Sequence, residues 1–247
     1  MLAAIVACSD AEPESPDDDA DGAGGMGATS PGGGASGVGG GGGGGGVPAQ
    51  VAATLRIIDP SSGEGFAGVS VQSRVDPAVE VTDDAGRATV SVNVGRGYRV
   101  QLDANDARRH NVFGVATADP FEQITFMSPD AVTTAVFGAL GLTDDGGRGI
   151  LVVGLDLPSL APALGATASI DAAADAPFIF VNGMPAAGSE LVPGAQGFVT
   201  FPNVAPGMVT ITTTFPDGAC RVFPAETQAN QVEVIAGEVS VMAFTCR

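Results

Sequence analysis

The sequence predicts an all-β chain: two small antiparallel β-sandwich modules, a short connecting helix between them, and a tether in front. Three observations carry this. Apolar residues alternate with small or polar ones over short runs, as at Ala88, Val90, Val92 and Val94, and clusters of Gly, Asp and Pro separate the runs. A period of two with turn chemistry between is the mark of antiparallel strands with one buried face. The pattern also repeats: Gly86-Arg-Ala-Thr-Val90 is matched by Gly197-Phe-Val-Thr-Phe201, 111 residues further on. Finally, an unbroken glycine run from Gly39 to Gly46 divides the strand-like sequence from the N-terminus.

Residues 1–8 read Met-Leu-Ala-Ala-Ile-Val-Ala-Cys. Residues 9–48 form the expected tether. It opens with Asp10, Glu12, Glu14, Asp17, Asp18, Asp19 and Asp21 and no base, and continues as mostly glycine. Like charges repel and extend, and a glycine run has no side chains to bury, so this stretch is expected to be disordered. As a random coil, about 40 residues reach roughly 35 Å. The first module is expected over 49–127, with strands at Thr54–Ile58, Val69–Val71, Val79–Val81, Ala88–Val94 and Tyr98–Leu102.

The connector is expected over 128–148. Ser128-Pro129 reads as N-cap and first helical position, Val132, Val136, Ala139 and Leu140 keep helical spacing, and Gly141 reads as the C′ stop. The run Val-Thr-Thr-Ala-Val-Phe also suits a strand. The second module follows over 149–247. Its strands are expected at Ile150–Gly154, Thr167–Ile170, Phe178–Val181, Gly197–Phe201, Met208–Phe215, Cys220–Phe223, Gln231–Ile235 and Val239–Cys246. Each module has the size of one small core. The repeat extends upstream, where Ile57-Ile58 with Gly68–Val71 parallels Val152-Val153 with Gly165–Ala168. In the strand after each hairpin turn, Tyr98–Leu102 against Met208–Thr213, the register is open by one residue.

Several of these residues form a known pattern. Gly68-Val69-Ser70-Val71, then Val81-Thr82-Asp83-Asp84-Ala85-Gly86-Arg87-Ala88, then Gly97-Tyr98-Arg99-Val100 resemble the carboxypeptidase regulatory-like domain. The second module resembles it through Gly197-Phe198-Val199-Thr200-Phe201-Pro202-Asn203-Val204-Ala205-Pro206-Gly207. Two departures stand out: Ala88 replaces the usual aromatic, and the second module lacks the Thr-Asp. The resemblance implies immunoglobulin/prealbumin-like sandwiches that serve as accessory modules of extracellular and envelope proteins, without catalysis of their own. It also implies that Tyr98 is buried. Enzymes of that fold need more His or Tyr than the single Tyr98 and single His110 found here.

Ile5-Val6-Ala7-Cys8 resembles a bacterial lipobox, in which Cys8 is acylated after cleavage. Each buried CH₂ of an acyl chain contributes about 0.8 kcal/mol, and several chains hold a protein stably on a membrane. Only seven residues precede Cys8, without a basic stretch, so the true start is expected upstream. The alternative is an apolar N-terminus with a chance cysteine. With Cys8 acylated, Cys220 and Cys246 remain, both in expected strands, and are predicted to form a disulfide in an oxidising compartment. The alternative is a pair of buried thiols.

Charge and composition narrow the chemistry. The net charge is −18, and all ten bases are Arg, so nucleic acid is excluded as a partner by repulsion. The seven acids of the tether leave 21 acids against 10 arginines, so the folded part is acidic too. His110, after Arg108-Arg109, reads as a loop residue without a catalytic partner. Asp83-Asp84 and Thr143-Asp144-Asp145-Gly146-Gly147 offer oxygens to Ca²⁺ but read better as capped turns. No catalytic residue, metal ligand or cofactor site is predicted. The expected protein is a non-enzymatic lipoprotein of the bacterial envelope, held in the outer membrane through Cys8. Its partner is an unidentified envelope protein or polysaccharide. The lysine-free, Ala/Gly/Arg/Asp-rich composition resembles myxobacterial lipoproteins. The alternative reading is an extracellular polysaccharide- or peptide-binding module, calcium-assisted or not.

Overall fold

The computed structural model describes residues 48–60, 62–226 and 229–247. Cys8 and residues 9–47 of the expected tether lie outside them. The first half forms β1 (Gln50–Ile58), β2 (Ser70–Ser73), β3 (Val79–Val81), β4 (Arg87–Asn93), β5 (Gly97–Ala104), β6 (Ala107–Val115) and β7 (Phe121–Phe126). After α1 (Asp130–Ala139) come β8 (Gly149–Asp156), β9 (Thr167–Ile170), β10 (Phe178–Val181), β11 (Met184–Ala187) and β12 (Ala195–Val204). The chain closes with β13 (Gly207–Thr214), β14 (Cys220–Val222), β15 (Gln231–Val234) and β16 (Val239–Cys246). The fold is all-β, built of sandwiches, with one short helix among the described residues.

The two halves repeat one topology. In the first, β4-β1-β7 form one sheet, with β1–β4 antiparallel and β1–β7 parallel, and β2-β5-β6 form the opposing antiparallel layer. In the second, β12-β8-β16 pair in the same senses, and β9-β13-β15 form the opposing layer. Register settles the alignment. Thr54 faces Thr89 where Val152 faces Thr200, and Ser70 faces Asp103 where Thr167 faces Thr214. The offset of 111 therefore runs through both strands of the hairpin. On this register Ile57 corresponds to Leu155, so the upstream match of Ile57-Ile58 with Val152-Val153 is corrected.

The halves are fused edge to edge. The C-terminal strand β16 pairs in parallel with β8 on one side and with β6 of the first half on the other. One sheet therefore runs β11-β10-β12-β8-β16-β6-β5-β2-β3, with β14 beside the far end of β16. The expectation of purely antiparallel pairing is corrected at β1–β7, β6–β16 and β8–β16, which are parallel. Alternate residues of the shared strands enter different cores. Leu151, Val153 and Leu155 of β8, with Met242 and Phe244 of β16, pack in the second core. Ile150 and Val152, with Val239 and Val241, join the first core beside Val100, Leu102 and Val112. The two small sheets thus cover opposite faces of the shared one. Burial on both faces explains why β8 reads as an unbroken apolar run.

Local chemistry follows the motifs. Thr82 is buried, donates from Oγ1 to the Phe66 carbonyl at 2.7 Å and accepts the Val69 amide at 2.9 Å. Asp83 Oδ1 accepts the amides of Ala85 at 3.0 Å and Arg87 at 2.8 Å, and Gly86 turns at φ +74° against the Ile57 carbonyl. The connector is a helix, not a strand. Its N-cap is Pro129 rather than Ser128, with the Pro129 carbonyl accepting Val132 and Thr133 amides. At its end Gly141 at φ +69° bonds the Gly138 carbonyl, and the Leu142 amide bonds that of Phe137, a Schellman stop.

Candidate functional site

The joint between β6 and β16 concentrates the unusual side chains. On one face, His110 lies opposite Val239 and is 5% exposed. It is a strand residue in the wall of the joint, which corrects the loop expected there. Its Nδ1 is 2.8 Å from the Arg108 carbonyl, and burial pushes the imidazole down to about 4, so the ring is neutral near pH 7. The ring borders a cavity of about 60 Å³ walled by Phe126, Phe178, Phe180 and Phe198. A cavity holding benzene is about 150 Å³, so this one takes no sizeable ligand. Arg108 closes its rim, pairing with Asp130 of α1 at 3.8 Å and with Asp144.

The other face carries a polar chain across the same joint. Arg99 Nε donates to Asn111 Oδ1 at 2.7 Å, and Asn111 Nδ2 donates to Glu238 Oε2 at 2.7 Å. Glu238 also meets Arg99 at 3.5 Å and Arg109 at 3.6 Å, and Arg109 Nε donates to Asp103 at 2.8 Å. Asn111 is fully buried, so the chain is satisfied where burial makes an unpaired group costly. First-half strands thereby hold the β15–β16 turn of the second half.

A groove adjoins this network. Outward side chains of β2 and β5 line one part of it, and Val92, Tyr98 and Phe113 line the other, where Glu233 of β15 also borders it. It consists of two hollows of about 240 and 380 Å³ that share Ser73, Arg74 and Arg99. Among the described residues Arg74 and Arg96 have no carboxylate within ion-pair distance.

The other expected residues are dispersed. Cys220 and Cys246, direct partners on β14 and β16, form the disulfide. Asp83 is spent on its own turn, and Asp145 Oδ1 accepts the Gly147 amide at 2.9 Å while pairing with Arg148. Among the described residues no three His, Cys, Asp or Glu side chains gather as a metal site would need. Tyr98 is buried, its ring lies over Gly114, and its hydroxyl donates to Gln123 Oε1 at 2.9 Å.

Three residues escaped sequence reasoning. Asn203, at φ +50°, accepts the Asp145 amide at 3.0 Å and donates to the Thr143 carbonyl and Asp175, tying the connector to β12. Its place in the Phe-Pro-Asn-Val-Ala-Pro-Gly hairpin was the available signal. Asp156, at the end of β8, is pushed up to about 7 by burial. Gln123 is buried with Nε2 unpartnered among the described residues, and nothing in the sequence around it signals this.

No family model matches the chain, so the likeness to carboxypeptidase regulatory-like domains rests on motifs, and no curated protein matches it. Among solved structures, the chain is similar to the Bacillus anthracis TIE protein at 14% identity and TM-score 0.26, covering 80% of this chain and 34% of that one. It is similar to GBS52, the minor pilin of Streptococcus agalactiae, at 12% identity and TM-score 0.26, with 80% and 96% covered. BcpA, the major pilin subunit of Bacillus cereus, gives 8% identity and TM-score 0.28, with 80% and 100% covered. The chain spans about a third of the TIE protein. Likenesses at these scores assign no function.

Proposed function

We propose that this is a non-enzymatic envelope lipoprotein, anchored through Cys8, spaced from the membrane by residues 9–48, and displaying its fused sandwiches as one body with a structural or interaction role. The observation that carries the non-enzymatic reading is how the reactive side chains are spent. The only imidazole is neutral, buried and bonded to a backbone carbonyl inside the joint. The polar chain on the opposite face of the joint serves to hold the two modules together. Catalysis instead needs a nucleophile or base within reach of substrate.

The lipobox-like Ile5-Val6-Ala7-Cys8 supports the anchor, and the Cys220–Cys246 bridge suits an oxidising compartment. The test is the intact mass of the mature protein from its native host, before and after reduction. A chain starting at Cys8 with acyl mass, gaining two hydrogens on reduction, is expected. An unmodified chain starting at Met1 overturns the anchor.

A second reading, an extracellular polysaccharide- or peptide-binding module, is favoured by the groove at Arg74 and Arg99. Among the described residues, the acids near the groove are not gathered as a Ca²⁺ site would need.

A further inference from the structure

From the groove on the outward face of β2 and β5 we infer a binding site for a carboxylated saccharide: a largely neutral sugar chain carrying isolated carboxylates. This deepens the binding reading above and is independent of the membrane anchor. Gln72 faces Gln101 and Ser73 faces Val100, where the β2–β5 ladder ends, and Arg74 follows directly after it. Arg74 and Arg99 border both hollows. Arg99 is partly balanced by Glu238 at 3.5 Å, whereas Arg74 has no carboxylate partner among the described residues. Asp76, the nearest acid in sequence, turns Oδ1 to the Ala78 amide at 3.0 Å. Arg99 is held by Asn111 and Glu238, so Arg74 is the groove's guanidinium without a carboxylate partner among the described residues, and planar guanidinium binds a carboxylate through paired hydrogen bonds.

The rest of the lining selects the ligand class. Gln72 and Gln101 offer their amide oxygens to sugar hydroxyls, while their Nε2 groups donate to the Pro77 carbonyl at 3.2 Å and to Asp103 at 2.6 Å. The groove runs over a sheet face, and β2 and β5 are already paired on both sides, so an extended peptide finds no strand edge there. A single arginine without a carboxylate partner in the groove of an acidic chain fits sparse charge, whereas dense polyanions are repelled. Glu233 of the second module borders one hollow, so the fused arrangement completes the groove.

The test uses the full chain, isotope-labelled, titrated with a hyaluronan tetrasaccharide, which alternates uronate with neutral sugar. The same oligosaccharide with its carboxyls reduced to alcohols and a poly-glutamate peptide run alongside. Expected are amide shifts confined to β2, β5, the 95–97 turn and β15, with a dissociation constant near or below about 1 mM. The reduced oligosaccharide is expected to bind at least about tenfold more weakly, as is the intact one to Arg74→Ala. Arg56→Ala, on the other sheet, is expected to leave binding unchanged. Equal binding of the reduced oligosaccharide, shifts elsewhere, insensitivity to Arg74→Ala, or no shift at about 1 mM overturns the site. Tighter binding of poly-glutamate in the same groove overturns the saccharide class. None of these outcomes bears on the mass at Cys8.

Discussion

Thr54 of β1 and Val152 of β8 hold the same place in the two modules, each facing a threonine on the neighbouring strand. Thr54 shares a 2.9 Å hydroxyl bond with Thr89 at the surface. Val152 and Thr200 are both buried, because the outer face of that sheet is covered by the joint. The same topology thus produces an alternating strand in one module and a wholly apolar one in the other. The difference lies in what covers the second face rather than in the fold of either module.

Substitution at this pair gives the largest effect. Val152→Asp buries a charge without a partner and is expected to cost more than about 4 kcal/mol, whereas Thr54→Asp stays within about 0.5 kcal/mol. Urea midpoints of the two variants read the contrast, and similar losses would place Val152 at an ordinary surface.

The strand ends come next. Cys246 ties β16 to β14 across a separation of 26 residues, while Met127 follows the matching strand β7 and is held by packing and by its amide's bond to the Ile58 carbonyl at 3.1 Å. Replacing both cysteines by serine is expected to cost about 3 kcal/mol. A thermal shift near zero would mean that the parallel pairs already fix β16.

His110 and Asp156 set a pH dependence with opposing signs. The buried imidazole titrates at about 4 when folded and near 6.5 when unfolded, so the unfolded chain binds the proton first and stability is lost as pH falls from about 6.5 to 4. The half-buried carboxyl of Asp156 titrates at about 7 when folded and near 4 when unfolded, so stability is lost as pH rises from about 4 to 7. Each slope approaches roughly 1.4 kcal/mol per pH unit, and between pH 4.5 and 6.5 they cancel. Asp156→Asn is expected to turn the flat profile into one rising with pH, and His110→Gln into a falling one. Parallel profiles for wild type and both variants would remove both groups from the pH account.

The smallest contrast is at the matching turns. Gly68 and Gly165 both sit at positive φ, +78° and +82°, but a side chain at Gly68 meets open space while one at Gly165 meets Pro216 at 3.1 Å. Gly68→Ala is expected to cost about 1 kcal/mol and Gly165→Ala somewhat more. Reversal of that order in thermal unfolding would contradict the alignment of the turns.

Much of this arrangement was legible where chemistry is local. The Thr82-Asp83 turn, the helix with its Gly141 stop and each hairpin of the repeat depend on neighbours in sequence, and the disulfide was legible from the cysteine count. The strands β6, β7 and β11 were missed for physical reasons. In β6, Arg109 and Asn111 are polar because both meet Glu238 across the joint, and His110 faces inward. In β7 the buried positions are Gln123 and Thr125, which inverts the expected pattern. The groove was invisible because its arginines come from segments brought together by the fold and Glu233 from the other module.

The central claim is that β16 makes the two modules one cooperative unit. Tyr98, the only tyrosine in a chain without tryptophan, reports on the first module. Leu151 is fully buried in the second core, and Leu151→Ala is expected to cost about 2–5 kcal/mol. Urea unfolding of this variant should be followed by Tyr98 fluorescence and by circular dichroism together. The account predicts one coincident transition, shifted to lower urea in both signals. A Tyr98 transition left at its wild-type midpoint, with circular dichroism split into two steps, would contradict it.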